Sequence, residues 1–403
     1  MTVTELPVHR TVASTATGDH RDPLRVLVVS ESFLPQINGV TNSVRRVLEH
    51  LAAEGHEAHL VAPTGPATYA GFQVTRARGA SLPFYKDFRI GLETRRRLRG
   101  VVQRFGPDVV HIASPATLGY QAAKVAAELG IPSVGIYQTD MVGFAQRYEA
   151  RYGIGGGSRA MAALTRKIHL KVDRTLAPST ASLTQLDQLG VPRTVLWPRG
   201  VDVESFHPSR VDHDLRARVA PDGRLIVGYV GRLAAEKELP LLTHLANDDR
   251  YALVVVGAGP EEQRLRALLP GAHFLGLLHG AELGAAYASL DVFVHTGRHE
   301  TFCQSAQEAL ASGVPVVAPR SGGPVDIVDD GVTGLLYRPG DGEDLRRSVD
   351  YLAGDPVLRR TMGRSARVAV QGRSWKSIND RLLDHYRELI DDRLGRFRIA
   401  GVA

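Results

Sequence analysis

The chain has 403 residues, 43% hydrophobic and 23% charged, with a formal charge of +6. That length exceeds one typical core and predicts two domains; the balance is that of a soluble globular protein, and no run of about eighteen apolar residues is present to span a bilayer. The single cysteine, Cys303, excludes an internal disulfide and predicts a reducing, cytoplasmic setting.

In chain order, residues 1–22 are Thr-rich, poor in large apolar residues and without the apolar stretch of a signal peptide, which predicts a disordered lead-in. From residue 23 a regular alternation begins. LRVLVVS (24–30) is apolar on both faces and predicts a buried strand, with a helix from Thr41 to Glu54 after it. Between them, SFLPQINGVTNSVRR places Gly39 just ahead of a helix whose first turn holds Thr41, Asn42 and Ser43. A glycine there suits either close approach of an anionic group to a helix N-terminus or a plain tight turn.

EAHLVAP, DVVHIAS, IPSVGIY and DRTLAPS predict further strands, separated by helical stretches. Strands apolar on both faces that alternate with helices predict parallel α/β layers, here a first domain over 23–195. The basic excess lies in this half: residues 1–200 carry 24 Lys/Arg against 15 Asp/Glu, and the remainder 25 against 28. It concentrates in KDFRIGLETRRRLRGVVQRFG (86–106), where Leu92, Leu98, Val101, Val102 and Phe105 lie among Arg95, Arg96, Arg97, Arg99 and Arg104. That segment reads as a solvated helix face or as a patch for an anionic membrane surface. Nucleic acid is disfavoured, since no recognition motif accompanies the charge. The strand at IPSVGIY ends in Tyr137-Gln138-Thr139-Asp140, polar side chains at a carboxyl end, which makes Gln138, Thr139 and Asp140 acceptor-site candidates. Asp140 also fits a helix cap.

The rhythm pauses at WPRGVDVESFHP, a Pro- and Gly-bearing linker over 196–208, and restarts at RLIVGYVG, YALVVVGAGP, AHFLGLL, DVFVHTG and VPVVAP. A second α/β domain is therefore predicted over 209–373, with a cleft between the two. In YVGRLAAEKEL, Arg232 and Lys237 follow a strand and suit a diphosphate, one as a fork and one as a point charge. In HTGRHETFCQSAQEALASGVPVVAP, Glu300 sits in a strand-end loop and Glu308 inside a helix that starts near Cys303. Eight residues of helix rise roughly 12 Å, similar to the span from a nucleotide's ribose across two phosphates to its sugar. Glu300 is then placed for hexose hydroxyls and Glu308 for ribose hydroxyls, with the helix N-terminus toward the phosphates. A last helix, 374–393, follows the second domain.

Several chemistries lack their residues. No G-x-G-x-x-G follows a strand, no phosphate-loop motif occurs, the fifteen histidines show no zinc spacing, and no Asp-x-Asp pair follows a strand where a diphosphate-bound metal would sit, the one such pair being Asp212 and Asp214 after the linker. The cations therefore stand where a metal would otherwise neutralise a diphosphate.

Taken together, NGV, RGVDVESFHP, GRLAAEKEL, ETFCQSAQEALASGVPVVAP and SGGPVDIVDDGVTGLL resemble family 4 of the retaining glycosyltransferases, over about Leu24 to Leu389. IYQTDMVGFAQRYEARYG and VHIASPATLG are similar to the actinobacterial enzymes that move mannose from GDP-mannose to lipid acceptors. The resemblance implies a GT-B architecture of two facing Rossmann-like domains, with the last helix crossing back to the first. It implies donor contacts at Gly39, Arg232, Lys237, Glu300, Thr301, Phe302 and Glu308, with Arg232, Lys237 and Glu300 catalytic, and no metal cofactor. His111 joins Gln138–Asp140 on the acceptor side, and Ala113 stands where many relatives carry a second histidine. Cys303 replaces a common glycine. The implied reaction is front-face transfer of a hexose to a glycolipid at the inner membrane face. A UDP-sugar donor, a sugar-nucleotide epimerase or hydrolase, and a non-catalytic sugar-nucleotide-binding subunit remain as alternatives.

Overall fold

The computed structural model describes residues 22–36, 38–82, 85–114, 116–153, 155–246 and 248–400. The lead-in over 1–22 therefore lies outside the described residues except for Asp22.

The apolar runs form two separate sheets. The first holds β1 (Arg25–Val29), β2 (Glu57–Ala62), β3 (Thr68–Tyr69), β4 (Phe72–Arg76), β7 (Val109–Ile112), β8 (Ser133–Ile136), β9 (Arg174–Ala177) and β10 (Thr194–Leu196). A small hairpin, β5 (Gly79–Leu82) and β6 (Tyr85–Gly91), stands apart from it. Its order is β10-β9-β8-β7-β1-β2-β4-β3, parallel except for β3. Along β1, Val26 and Val28 join one buried layer while Leu27 and Val29 join the other, so both faces are covered. That is why these strands read as continuous apolar runs.

The second sheet holds β11 (Leu225–Val230), β12 (Tyr251–Val256), β13 (His273–Gly276), β14 (Val292–Val294), β15 (Val316–Pro319) and β16 (Gly334–Tyr337). Its order, β13-β12-β11-β14-β15-β16, is all parallel. In each sheet the chain runs outward one way from its first strand and then restarts on the other side. The reversal falls between β1 and β7 in the first sheet and between β11 and β14 in the second. In open α/β sheets ligands bind outside the carboxyl ends of the strands at such reversals.

The last helix, Trp375–Ala400, returns to the first domain. Ile378, Leu382, Leu383, Tyr386 and Leu389 share a buried cluster with Val26, Val28, Val44, Val47 and Leu51. The Trp197 indole donates to the Ile378 carbonyl at 2.9 Å, and Asn379 donates to the Arg46 carbonyl at 3.0 Å. The two chain crossings touch: Val201 N donates to the Arg373 carbonyl at 2.9 Å. A Cβ on Gly200 would sit 2.4 Å from the Trp375 Cα, so only glycine fits there.

The basic segment divides its apolar residues. Helix Arg95–Phe105 turns Leu98, Val101 and Val102 into the first domain's core, beside Leu27, Val29 and Val110. Those three side chains are taken up by folding, while Leu92, just ahead of the helix, stays exposed. Outside, Arg95 and Arg99 both bind Glu128, and Arg97 lies 3.1 Å from Glu93. No helix among the described residues is long and apolar enough to cross a membrane.

Candidate active site

At the second domain's reversal, β14 ends at Val294 and leads into His295 and the loop to helix Gln304–Ala311. Cys303 caps that helix with φ 82°, a left-handed conformation that costs a side-chain-bearing residue strain and that glycine adopts freely. The loop is held from beneath: Gly323 N donates to the Glu300 carbonyl at 2.8 Å, and Ser321 Oγ to the Arg298 carbonyl at 3.0 Å. Glu300 Oε1 accepts from Lys237 Nζ, and His295 Nε2 lies 3.2 Å from the same oxygen, an ion-pair distance without hydrogen-bond alignment.

Burial would push the Glu300 carboxyl upward, but Lys237 and His295 outweigh it and hold it well below the usual carboxylate range. Burial likewise opposes charge on Lys237 and on His295. Glu300 tips the lysine upward, and Cys303 with Glu300 raises the histidine to about 10. The site is thus a desolvated carboxylate between two cations, which is expensive unless every member is kept. Arg232, just past β11, is half exposed, with its guanidinium 3.6 Å from Glu236. Lys237 and Glu300 are in contact, and Arg232 stands at the neighbouring strand end.

Glu308 lies further down the helix, where Tyr287 donates to its Oε2 at 3.0 Å. It keeps part of its surface in water, yet surrounding protein disfavours its charge and raises it to about 7, against hydrogen bonds from Tyr287 and Gln304 that lower it. Thr301 Oγ1 crosses the cleft and donates to the Gln138 carbonyl at 3.1 Å. The Phe302 side chain is buried in the second domain's core.

On the first domain, Gly39 opens helix Gly39–Ala53, with Asn38 capping it by accepting from Thr41 N at 2.9 Å. A Cβ on Gly39 would sit 2.6 Å from an Arg199 guanidinium nitrogen. The acceptor candidates divide. Thr139 is exposed at the strand end. Asp140 is a helix cap, accepting from Gly143 N at 2.8 Å, in line with the alternative reading. Gln138 is buried, with its side-chain oxygen taken by Arg199 at 2.8 Å and its nitrogen by the Ala113 carbonyl at 3.0 Å. His111 does not reach the cleft. It is buried in β7, with Nδ1 2.6 Å from the Tyr386 hydroxyl, and burial lowers its pKa to about 3.

Matches to two family models cover most of this frame: Glycosyltransferase Family 4 over residues 37–205 and Glycosyl transferases group 1 over 212–369. The chain is 47% identical to a GDP-mannose-dependent alpha-mannosyltransferase of Mycolicibacterium smegmatis over 92% of this chain and 99% of that one. The chain belongs to glycosyltransferase family 4. It is 26% identical to a GDP-mannose-dependent alpha-(1-6)-phosphatidylinositol dimannoside mannosyltransferase of Mycobacterium tuberculosis, over 76% of this chain and 82% of that one. Its fold matches that of sucrose-phosphate synthase from Thermosynechococcus elongatus with a TM-score of 0.73 at 22% identity, covering 92% and 100% of the two chains. The two-domain GT-B architecture follows from the sheets and from this likeness.

Three groups escaped the sequence reading. Arg199 was visible only as part of the linker motif RGVD, and His295 only as the residue ending a strand run. Glu31 sits one residue past Ser30 and accepts from Gly91 N at 2.7 Å and Leu118 N at 2.5 Å. It thereby caps helix Thr117–Leu129, whose own cap residue, Ala116, offers no side-chain acceptor. Among the described residues, one trio stands at metal-ligand range: His50, Glu54 and Asp380. It lies on the seam under the last helix, and Lys376 already binds both carboxylates, at 3.0 and 3.1 Å.

Proposed function

We infer that the protein transfers mannose from GDP-mannose to a hydroxyl of a glycolipid acceptor, with retention of anomeric configuration. The observation that carries the reading is the Lys237–Glu300–His295 cluster at the second domain's reversal. A lysine ammonium has three donors, so Lys237 holds Glu300 and has capacity left for phosphate oxygens. Arg232 is placed to add a guanidinium to the same diphosphate. Glu300, kept ionised by its cations, accepts from hexose hydroxyls, and Glu308 accepts from the ribose.

The anomeric C–O bond to the β-phosphate breaks while the acceptor oxygen bonds the same face of that carbon. The acceptor's proton passes to the departing phosphate oxygen. Charge grows on that phosphate in the transition state, where Arg232 and Lys237 lower its energy more than they do in the ground state. Because two cations meet that charge, we expect no divalent ion to be required. The donor assignment draws on the mannosyltransferase relatives, and the lipid acceptor on the phosphatidylinositol-dimannoside enzyme among them. Work on such an acceptor calls for peripheral contact with a membrane face, made by charged surface and not by an inserted helix.

The test is incubation of the protein with GDP-mannose, UDP-glucose and UDP-galactose and a membrane-lipid extract, followed by mass spectrometry and by proton NMR of the new anomeric centre. A hexose added from GDP-mannose with α configuration is expected. Product from a UDP-sugar alone, or nucleotide release equal with and without lipid, would overturn the assignment.

A further inference from the structure

Arg199 is a buried cation that the catalytic reading above does not use. It leaves the first domain at the start of the linker, and its fork spans two parts of that domain. One guanidinium nitrogen donates to the Gly39 carbonyl at 3.1 Å, the other to Gln138 Oε1 at 2.8 Å. Its own carbonyl accepts from Gln307 Nε2 of the second domain at 2.9 Å, and the carbonyl of the next residue, Gly200, accepts from Gln304 at 3.0 Å. Gln307 immediately precedes Glu308, and both lie on the helix assigned to the donor.

Gln138 extends the brace. Its amide nitrogen reaches the Ala113 carbonyl at the end of β7, and its carbonyl accepts from Thr301, next to Glu300. One guanidinium therefore connects the Gly39 turn, the ends of β7 and β8, and, through the chain itself, the donor helix. Burying an arginine against two neutral acceptors is unfavourable unless its field is met elsewhere. Glu300 supplies that field, opposing the burial that lowers Arg199 to about 10.

We propose that Arg199 is a positioning residue that holds the acceptor-side strand ends and the Gly39 turn in register with the donor helix, so that transfer to an acceptor depends on it. It rests on the transferase reading above. The fork geometry matters because a lysine delivers one point charge and cannot reach both oxygens in one plane. Donor recognition by Arg232, Lys237, Glu300 and Glu308 lies on the second domain and is expected to survive the loss.

Three rates separate this role from a merely structural one: transfer to lipid, release of free mannose to water without acceptor, and GDP affinity by calorimetry. For Arg199→Lys, the transfer kcat should fall at least tenfold, with GDP affinity and the water reaction within about threefold of wild type. Arg199→Ala should fall further in transfer alone. Gln138→Leu leaves Arg199 in place but removes one end of its fork, and should reproduce the transfer defect, with GDP affinity unchanged, if Arg199→Ala does not fold. Equal loss of transfer and of the water reaction, or unchanged transfer in Arg199→Lys, would overturn the proposal. A wild-type protein with no transfer at all would instead count against the transferase reading.

Discussion

The hydroxyl of Tyr386 lies 2.6 Å from Nδ1 of His111, so the helix that ends the chain is fastened to the middle of the first sheet. Both groups are fully buried, and burial lowers His111 to about 3 from its ordinary 6.5. Between those values the unfolded chain binds a proton that the folded one does not. The histidine's contribution to stability is therefore complete above about pH 6.5 and drains as the pH falls toward 3. Glu31 and Glu308, both raised to about 7, work in the opposite direction over that range, so the test is a difference. On going from pH 7.5 to pH 5 the urea midpoint of His111→Phe should move upward relative to that of the wild type, and an identical shift in both proteins would contradict the assignment.

Truncation after Arg373 removes Ile378, Leu382, Leu383, Tyr386 and Leu389 from the cluster they share with Val44, Val47 and Leu51. Each such side chain contributes about 1.5–3 kcal/mol when buried, and a whole domain is stable by only about 5–15 kcal/mol. The truncated chain should lose its first domain to limited proteolysis while the second survives. A protease-resistant first domain would contradict the packing.

Arg232→Ala and Lys237→Ala should each lower kcat by about 10²–10³-fold, the usual loss when a donor to developing charge is removed. The KM for acceptor should move little. Lys237→Ala carries a second effect, because it takes from the buried Glu300 its direct ammonium partner, so its GDP affinity should drop as well. Steady-state kinetics and calorimetry on both variants check this, and wild-type turnover in either would make that side chain a surface charge.

Glu308 is raised to about 7 by burial. If its carboxylate accepts from the ribose, affinity for GDP-mannose should rise as the pH climbs from 6 to 8, because the acceptor form is then populated. GDP-mannose is the better titrant, since its diphosphate is esterified at both ends and does not itself titrate in that range. Glu308→Gln should bind more weakly, by about 1–3 kcal/mol, and without the pH dependence. A sloped curve in the variant would remove the assignment.

Leu98→Ala should destabilise the first domain by about 2–5 kcal/mol, the cost of a truncated core leucine. Changing Arg95, Arg96 and Arg97 together to Ser should lower the urea midpoint only modestly, since the Arg95–Glu128 pair is exposed and contributes little, and the buried Glu93 that Arg97 leaves behind still accepts from the Arg78 and Thr94 amides. Vesicles of anionic lipid then report on the charged face by itself: if it contacts a membrane, co-sedimentation falls in the triple variant and at high salt.

Legibility followed burial. Strands such as Val26–Val29 and Val292–Val294 lie covered on both faces, so their apolar runs announced them. Strands β3, β5, β6 and β10 are short or mixed in polarity, and no periodicity marked them. The amphipathic pattern of Arg95–Phe105 was readable, but a stripe facing a sheet and a stripe facing a bilayer have the same spacing. Motif spacing brought out Arg232, Lys237, Glu300 and Glu308 because each follows a strand end or sits on one helix. Arg199 and Gln138 owe their contacts to residues some 60 to 160 positions away in the chain, which no local pattern records. The family resemblance puts His111 on the acceptor side, yet its side chain points to the face that the last helix covers.

The closure of the first domain by Trp375–Ala400 also has a consequence for synthesis. Residues 24–196 leave the ribosome with the stripe formed by Val44, Val47 and Leu51 still uncovered, because the side chains that cover it are encoded at the far end of the 403-residue chain. At roughly 5–20 residues per second, that surface waits on the order of ten to forty seconds for its partner. The second domain, contiguous from 209 to 373, can finish before the first. The order of maturation is thus the reverse of the order of translation, and the nascent first half is the stage at which this protein most needs a chaperone.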